Sequence, residues 1–223
     1  MQIIPSILVR SAKEFISQIR TIENILDLVQ LDIADGKFVP NTTWADPDIV
    51  EKNANIDIEL HLMVKKPLQE LERWTATEQI KRVLIHYESF DPSSTRRGDL
   101  KSILEFAKQQ SWEIGLVLNP DTPINSIEPY LSELQSIMFM GVYPGFQGQQ
   151  LLTEVLSKIK LFKSKYPTIF TELDGAVNEK TLPQIFATGV DAICPGSAVF
   201  GNDRTPEENV KRMLEIINRL TQQ

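Results

Sequence analysis

The chain has 223 residues, 42% of them hydrophobic and 24% charged, with a formal net charge of −7; that composition fits one soluble globular unit with a full core. Acidic and basic residues are interspersed, which argues against a basic face for nucleic acid, and no apolar run approaches the length of a membrane span. The single cysteine, Cys194, has no internal disulfide partner; with no basic and apolar leader ahead of Ile3-Ile4-Pro5-Ser6, the cytoplasm is the expected location.

Apolar, β-branched runs predict strands at 3–8, 28–34, 56–63, 82–86, 113–118, 135–140, 168–174 and 190–194. Between most of them the pattern changes to a helical period. Leu151, Val155, Ile159 and Phe162 form one apolar stripe. Gly189 stands where a left-handed cap would close the helix before the last strand. Thr205-Pro206-Glu207-Glu208 then supplies an N-cap, a proline at the first helical position and a capping-box glutamate. Val210, Met213, Leu214, Ile217 and Leu220 are the expected buried face of that final helix. Strands alternating with helices make parallel βαβ units, and eight of them close into a (β/α)8 TIM barrel, an α/β fold expected as a single domain over residues 1–223. An open doubly wound sheet is the alternative. The longest polar connection, Glu88 to Gly98, follows the fourth strand, so in a barrel its Arg96 and Arg97 lie on the catalytic face, as solvated surface or as added positive charge.

Within 28–34, alternation puts Gln30, Asp32 and Ala34 on one face and Val29, Leu31 and Ile33 on the other. Burying a carboxamide and a carboxylate on a sheet is costly unless each finds a partner or a task. Asp35-Gly36 closes that strand with a turn-forming pair. The strand at 56–63 ends in His61-Leu62-Met63, and the one at 168–174 ends in Asp174-Gly175. Taken singly, a strand-end aspartate caps a turn and a buried histidine is hydrogen-bonded in a core. In a barrel, however, the carboxyl ends of all strands converge on one rim, where Asp32, His61 and Asp174 would meet. Two carboxylates and a histidine suit a divalent metal; they equally suit two acid/base groups facing a substrate.

Three late loops carry the glycines that let backbone N–H groups approach a phosphate: 143–149 with Gly145 and Gly148, 174–177 with Gly175, and 195–201 with Gly196 and Ser197. The last two follow strands seven and eight, where barrels often place a phosphate. A pocket built on amides and helix dipoles reconciles an acidic protein with an anionic ligand.

Several stretches resemble the ribulose-phosphate 3-epimerase family: Pro5-Ser6-Ile7-Leu8, Asp32 through Asn41, His61-Leu62-Met63, His86 with Glu88, and Leu118-Asn119-Pro120. The likeness continues through Pro144-Gly145-Phe146, Gly148-Gln149, Leu173-Asp174-Gly175 and Gly196 to Gly201, in order along nearly the whole chain. The resemblance implies C3 epimerisation of a ketose phosphate, D-ribulose 5-phosphate to D-xylulose 5-phosphate, through an enediolate. It implies Asp32 and Asp174 as the proton-transfer pair and as metal ligands, with His61 a third ligand and substrate neighbour. Ser6 would line the sugar site, Met63 and Met140 would cap the enediolate, and Gly145, Gly148, Gly175, Gly196 and Ser197 would surround the phosphate. The expected cofactor is a divalent ion, Zn, Fe, Mn or Mg. The family has a histidine ligand where this chain has Gln30; a site of Gln30, Asp32, His61 and Asp174 is expected to bind metal more weakly or to lean toward Mg²⁺ or Mn²⁺. Ala34 replaces a methionine, opening one side of the cap, while Tyr143, Gln147 and Ala176 replace an asparagine and two glycines. Another phosphosugar, such as a ketohexose 6-phosphate, and a non-catalytic phosphosugar-binding barrel are the alternatives. The expected partner is a phosphorylated sugar, with no nucleic acid and no membrane; a homo-oligomer is compatible with the chain.

Overall fold

Among the described residues the apolar runs form nine parallel strands: β1 (Gln2–Ile3), β2 (Ser6–Ile7), β3 (Leu28–Ala34), β4 (Asp57–Met63), β5 (Ile80–His86), β6 (Glu113–Leu118), β7 (Ser136–Met140), β8 (Phe170–Asp174) and β9 (Ala192–Cys194). The computed structural model describes residues 1–90, 98–145 and 148–222; Arg96, Arg97, Phe146 and Gln147, singled out above, lie outside them. The sheet runs β1-β9-β8-β7-β6-β5-β4-β3-β2. Its two ends belong to one extended segment. Ile3 pairs with Ile193 of β9, and Ser6 pairs with Gln30 of β3. Between them Ile4 N donates to Ile193 O and Pro5 O accepts from Gln30 N, both at 2.9 Å. Pro5 has no N–H to offer, so the strand expected at 3–8 divides there and hands its ladder from one neighbour to the other. That hand-over closes the sheet into a barrel and excludes the open doubly wound alternative.

Helices α1 (Ala12–Ile22), α2 (Pro47–Asn53), α3 (Pro67–Leu71), α4 (Gly98–Gln109), α5 (Thr153–Lys165), α6 (Leu182–Phe186), α7 (Ser197–Phe200) and α8 (Pro206–Thr221) connect the strands. Between β6 and β7 the described chain forms only 3₁₀ turns, Ile124–Ser126 and Glu128–Glu133. Pro123 and Pro129 remove donors there that an α-helix would use. Thr205 and Glu208 form the predicted capping box, each side chain accepting from the other's backbone N–H. Gly189 takes a φ of +77° just after α6. Two predicted stripes shift. Leu151 precedes α5 instead of lying on it, and Leu214 is exposed on α8. The buried stripe of α8 is Val210, Met213 and Ile217 together with Asn209, narrower than the pattern suggested.

The outward residues of the strands, such as Leu31, Ile58, Leu60 and Leu62, are fully buried beneath the helices. The interior is less usual. Alongside Ile4, Leu84, Val117 and Met138 it holds a charged network. Arg82 Nη1 donates to Glu59 Oε2 and Glu172 Oε1, each at 3.0 Å, while its Nε and Nη2 reach Glu113 Oε2 at 3.0 and 2.8 Å. Burial, and then the charge of Glu172, pushes the Glu59 carboxyl well above its ordinary range. Both carboxyls lie against one guanidinium, whose charge offsets a burial that would be prohibitive for bare carboxylates.

Candidate active site

Parallel pairing places the polar side chains side by side. Asp32 is opposite His61, Gln30 opposite Glu59, and Met140 opposite Asp174. Side chains at every second position point into the barrel, so Gln30 and Asp32 reach the same interior as His61 and Asp174. His61 Nδ1 lies 2.9 Å from Asp32 Oδ1 and 3.3 Å from Asp174 Oδ2. Gln30 Nε2 donates to Asp32 Oδ1 at 2.7 Å and to Asp174 Oδ2 at 3.1 Å, and lies 3.3 Å from His61 Nδ1. Gln30 Oε1 is buried without a hydrogen-bond partner.

Burial disfavours a charge on His61, but hydrogen bonds to Asp174 and Asp32, and their charges, outweigh it and raise its pKa to about 10. Burial raises Asp32, against the opposing pull of His61. The other face of His61 is organised by a neighbour that sequence reasoning noticed only as part of a motif. His61 Nε2 is 2.9 Å from His86 Nε2, and His86 Nδ1 is 3.3 Å from Glu88 Oε2. The two rings stack with centroids 5.1 Å apart. Burial lowers His86 to about 4, so it is neutral near pH 7, with its Nδ1–H directed to Glu88. Its bare Nε2 then accepts from His61 Nε2–H. Glu88 Oε1 is held in turn by Asn119 N and the Thr122 hydroxyl. This chain fixes the His61 ring and reserves Nδ1 for the carboxylates or for a cation.

Above the cluster opens a cavity of about 360 Å³. Asp32 and Asp174 reach it, as do Ser6, Met63 and Met140. The glycines expected at a phosphate, Gly145, Gly148, Gly175 and Gly196, line it together with Ser197. Gln30 and His61 do not; both are fully buried behind the carboxylates. Leu8, Asn178 and Asn202 also line the cavity. Leu8 belongs to the family-like stretch 5–8, whereas Asn178, in the loop after β8, and Asn202, just beyond α7, carried no sequence signal.

The chain matches the model of the ribulose-phosphate 3 epimerase family over residues 2–200. It belongs to that family. A ribulose-phosphate 3-epimerase from Bacillus subtilis is 31% identical over 210 residues, covering 90% of this chain and 93% of the relative. One from Mycobacterium tuberculosis is 33% identical over 192 residues, covering 81% and 78%. Among solved structures, orotidine 5'-monophosphate decarboxylase from Sulfolobus solfataricus superposes with a TM-score of 0.67 at 12% identity over 99% of both chains, a likeness of fold alone. As a ribulose-phosphate 3-epimerase family member, this protein is an isomerase.

Several departures from the family pattern have visible consequences in this epimerase. Ala34 does not open the cap: it packs with Val39, Met63 and Phe38, and is absent from the cavity lining. Tyr143 turns outward, its hydroxyl donating to Asp121 Oδ2 at 2.6 Å. Gly175 holds a φ of +100°, and a Cβ there would stand 2.6 Å from Val142 Cγ2. Ala176 follows at φ +57°, a left-handed conformation that strains any side chain. Its carbonyl accepts from Thr181 Oγ1 at 2.8 Å and Asn178 Nδ2 at 3.1 Å, which hold it there. Ala176→Gly is therefore expected to stabilise the fold by about 0.5–1 kcal/mol in chemical denaturation, strain relief exceeding the entropy of an added glycine.

Asp32, His61 and Asp174 fit a divalent ion. Their ligand atoms lie within 4.8 Å of one another, the donor set is oxygen and imidazole, and the His86 contact leaves Nδ1 as the ligating nitrogen. No helix among the described residues is long and apolar enough to cross a membrane.

Proposed function

We propose that this chain interconverts D-ribulose 5-phosphate and D-xylulose 5-phosphate by proton transfer at C3 through an enediolate, with Asp32 and Asp174 as the acid/base pair. The observation that carries this reading is the convergence of two carboxylates from separate strands on one cavity, bridged from beneath by Gln30 and His61. Epimerisation needs two groups. A single base would return the proton to the face it came from, whereas one carboxylate removes it and the other delivers a proton to the opposite face. One of the two carboxyls begins the turnover protonated and the other ionised, and they exchange roles when the reaction reverses. Asp32, His61 and Asp174 would hold the divalent ion, which when bound supplies positive charge to the oxyanion that forms as the C3 proton leaves.

Met63 and Met140, 2% and 3% exposed, close the apolar side of the cavity and keep water from the enediolate. Ser6, nearly buried at the start of the cavity, offers a hydroxyl to the sugar. Residues 175–177 and Gly196 and Ser197, at the start of α7, line the cavity, and their amides would receive the anionic end. The filled space beside Ala34 favours a pentose phosphate over a ketohexose 6-phosphate.

Parallel assays on the two sugars test this reading. Turnover with D-ribulose 5-phosphate should exceed that with D-fructose 6-phosphate by at least about ten-fold in kcat/KM, the discrimination expected from one extra hydroxymethylene. A preference for the hexose would reverse the substrate assignment.

A further inference from the structure

In this epimerase the group at the centre of the candidate ligand set is a side-chain nitrogen. Gln30 Nε2 is within 3.3 Å of Asp32 Oδ1, Asp174 Oδ2 and His61 Nδ1, the three atoms that would ligate an ion. The orientation of the amide follows from its surroundings: turning it over would set Oε1 against two carboxylates, so the NH₂ group must face them. Both of its N–H donors are then used, one on each carboxylate. The cost falls on Oε1, which is left buried and unpartnered. Ser6 and Glu59, its in-register neighbours on the adjoining strands, contribute no hydrogen bond to that oxygen.

We infer that the Gln30 carboxamide acts as a built-in substitute for the cation, holding Asp32 and Asp174 together in the metal-free protein and opposing metal entry. This rests on the ligand set proposed above, but not on the reaction. An ion reaching the three ligand atoms must first displace the amide nitrogen, breaking two charge-assisted hydrogen bonds. Gln30 is thus a positioning residue whose sign of action is opposite to that of a ligand: a ligand's removal weakens metal binding, whereas removal of this donor strengthens it.

That opposition of sign defines the test. Gln30→Met keeps the side-chain volume and removes both amide atoms; Gln30→Leu serves if the methionine variant does not fold. Protein stripped of metal is titrated with Mn²⁺ by calorimetry, and free Mn²⁺ is followed by electron paramagnetic resonance. The variant is expected to bind Mn²⁺ at least about five-fold more tightly than the wild type, and its thermal midpoint is expected to rise more on Mn²⁺ addition. Weaker or equal binding by both volume-matched variants, or no binding by any form, would overturn the inference. Because binding is read directly, the result is independent of which sugar the enzyme turns over.

Discussion

Asp32→Asn and Asp174→Asn are each expected to lower kcat on D-ribulose 5-phosphate by roughly 10³–10⁴-fold, with the far-ultraviolet circular dichroism of the wild type retained. The magnitude is that of losing a positioned acid or base. Asparagine preserves the shape of the carboxylate and can still hydrogen-bond to Gln30 and His61, so geometry survives while proton transfer does not. The two effects should be similar in size because the reaction requires both groups in each turnover. Combining the substitutions should cost little more than either alone, since residues that act as a unit are not additive. A variant retaining more than about a tenth of wild-type kcat would remove that aspartate from the acid/base pair, given the same scale.

Arg82→Met is expected to cost about 3–5 kcal/mol of folding stability, the penalty for breaking a buried ion network from one side. Arg82 is the cation that meets Glu59 and Glu172, whose side chains are both 0% exposed. Without it two carboxyls face each other inside the barrel with nothing to balance a charge. The loss should also depend on pH in a particular direction. Burial and the charge of Glu172 already hold Glu59 above its ordinary value of 4.5, and removing Arg82 raises it further. A carboxyl whose folded pKa exceeds its unfolded one takes up protons on folding. Its stabilising contribution is therefore complete below the unfolded value and declines as pH climbs toward the folded one. Guanidinium unfolding at pH 5 and pH 8 should accordingly show the larger deficit at pH 8. An equal deficit at both would mean that the cost is one of packing, not of charge.

How much of this was legible in the sequence differs from feature to feature. The strands were, because β-branched runs bounded by turn residues leave few other readings, and Asp32, His61 and Asp174 followed from the convergence of strand ends in a barrel. The resemblance to the ribulose-phosphate 3-epimerases, carried by DIADGKFVPN at 32–41 and GSAVFG at 196–201, agrees with the family match. What the sequence concealed depends on register and rotamer. Glu59, Arg82, Glu113 and Glu172 read as ordinary strand residues until four strands are aligned. His86 acquires its role only by standing 2.9 Å from His61. Sequence alone makes Gln30 a weak replacement ligand; the side of the amide it presents is set by two carboxylates, one of them 144 positions away. The space assigned to Ala34 was taken by Phe38 and Val39, which arrive from the loop beyond Gly36. The Pro5 break was visible as a residue, but its use in closing the barrel was not.

The central claim is a two-base exchange at C3, and incubation of the wild-type enzyme with D-ribulose 5-phosphate in D₂O, followed by proton NMR, tests it most directly. The account predicts D-xylulose 5-phosphate carrying deuterium at C3 from the earliest detectable product. Product that retains its original C3 hydrogen, or folded enzyme that gives neither exchange nor product with Mg²⁺, Mn²⁺, Fe²⁺ or Zn²⁺ supplied, would contradict it.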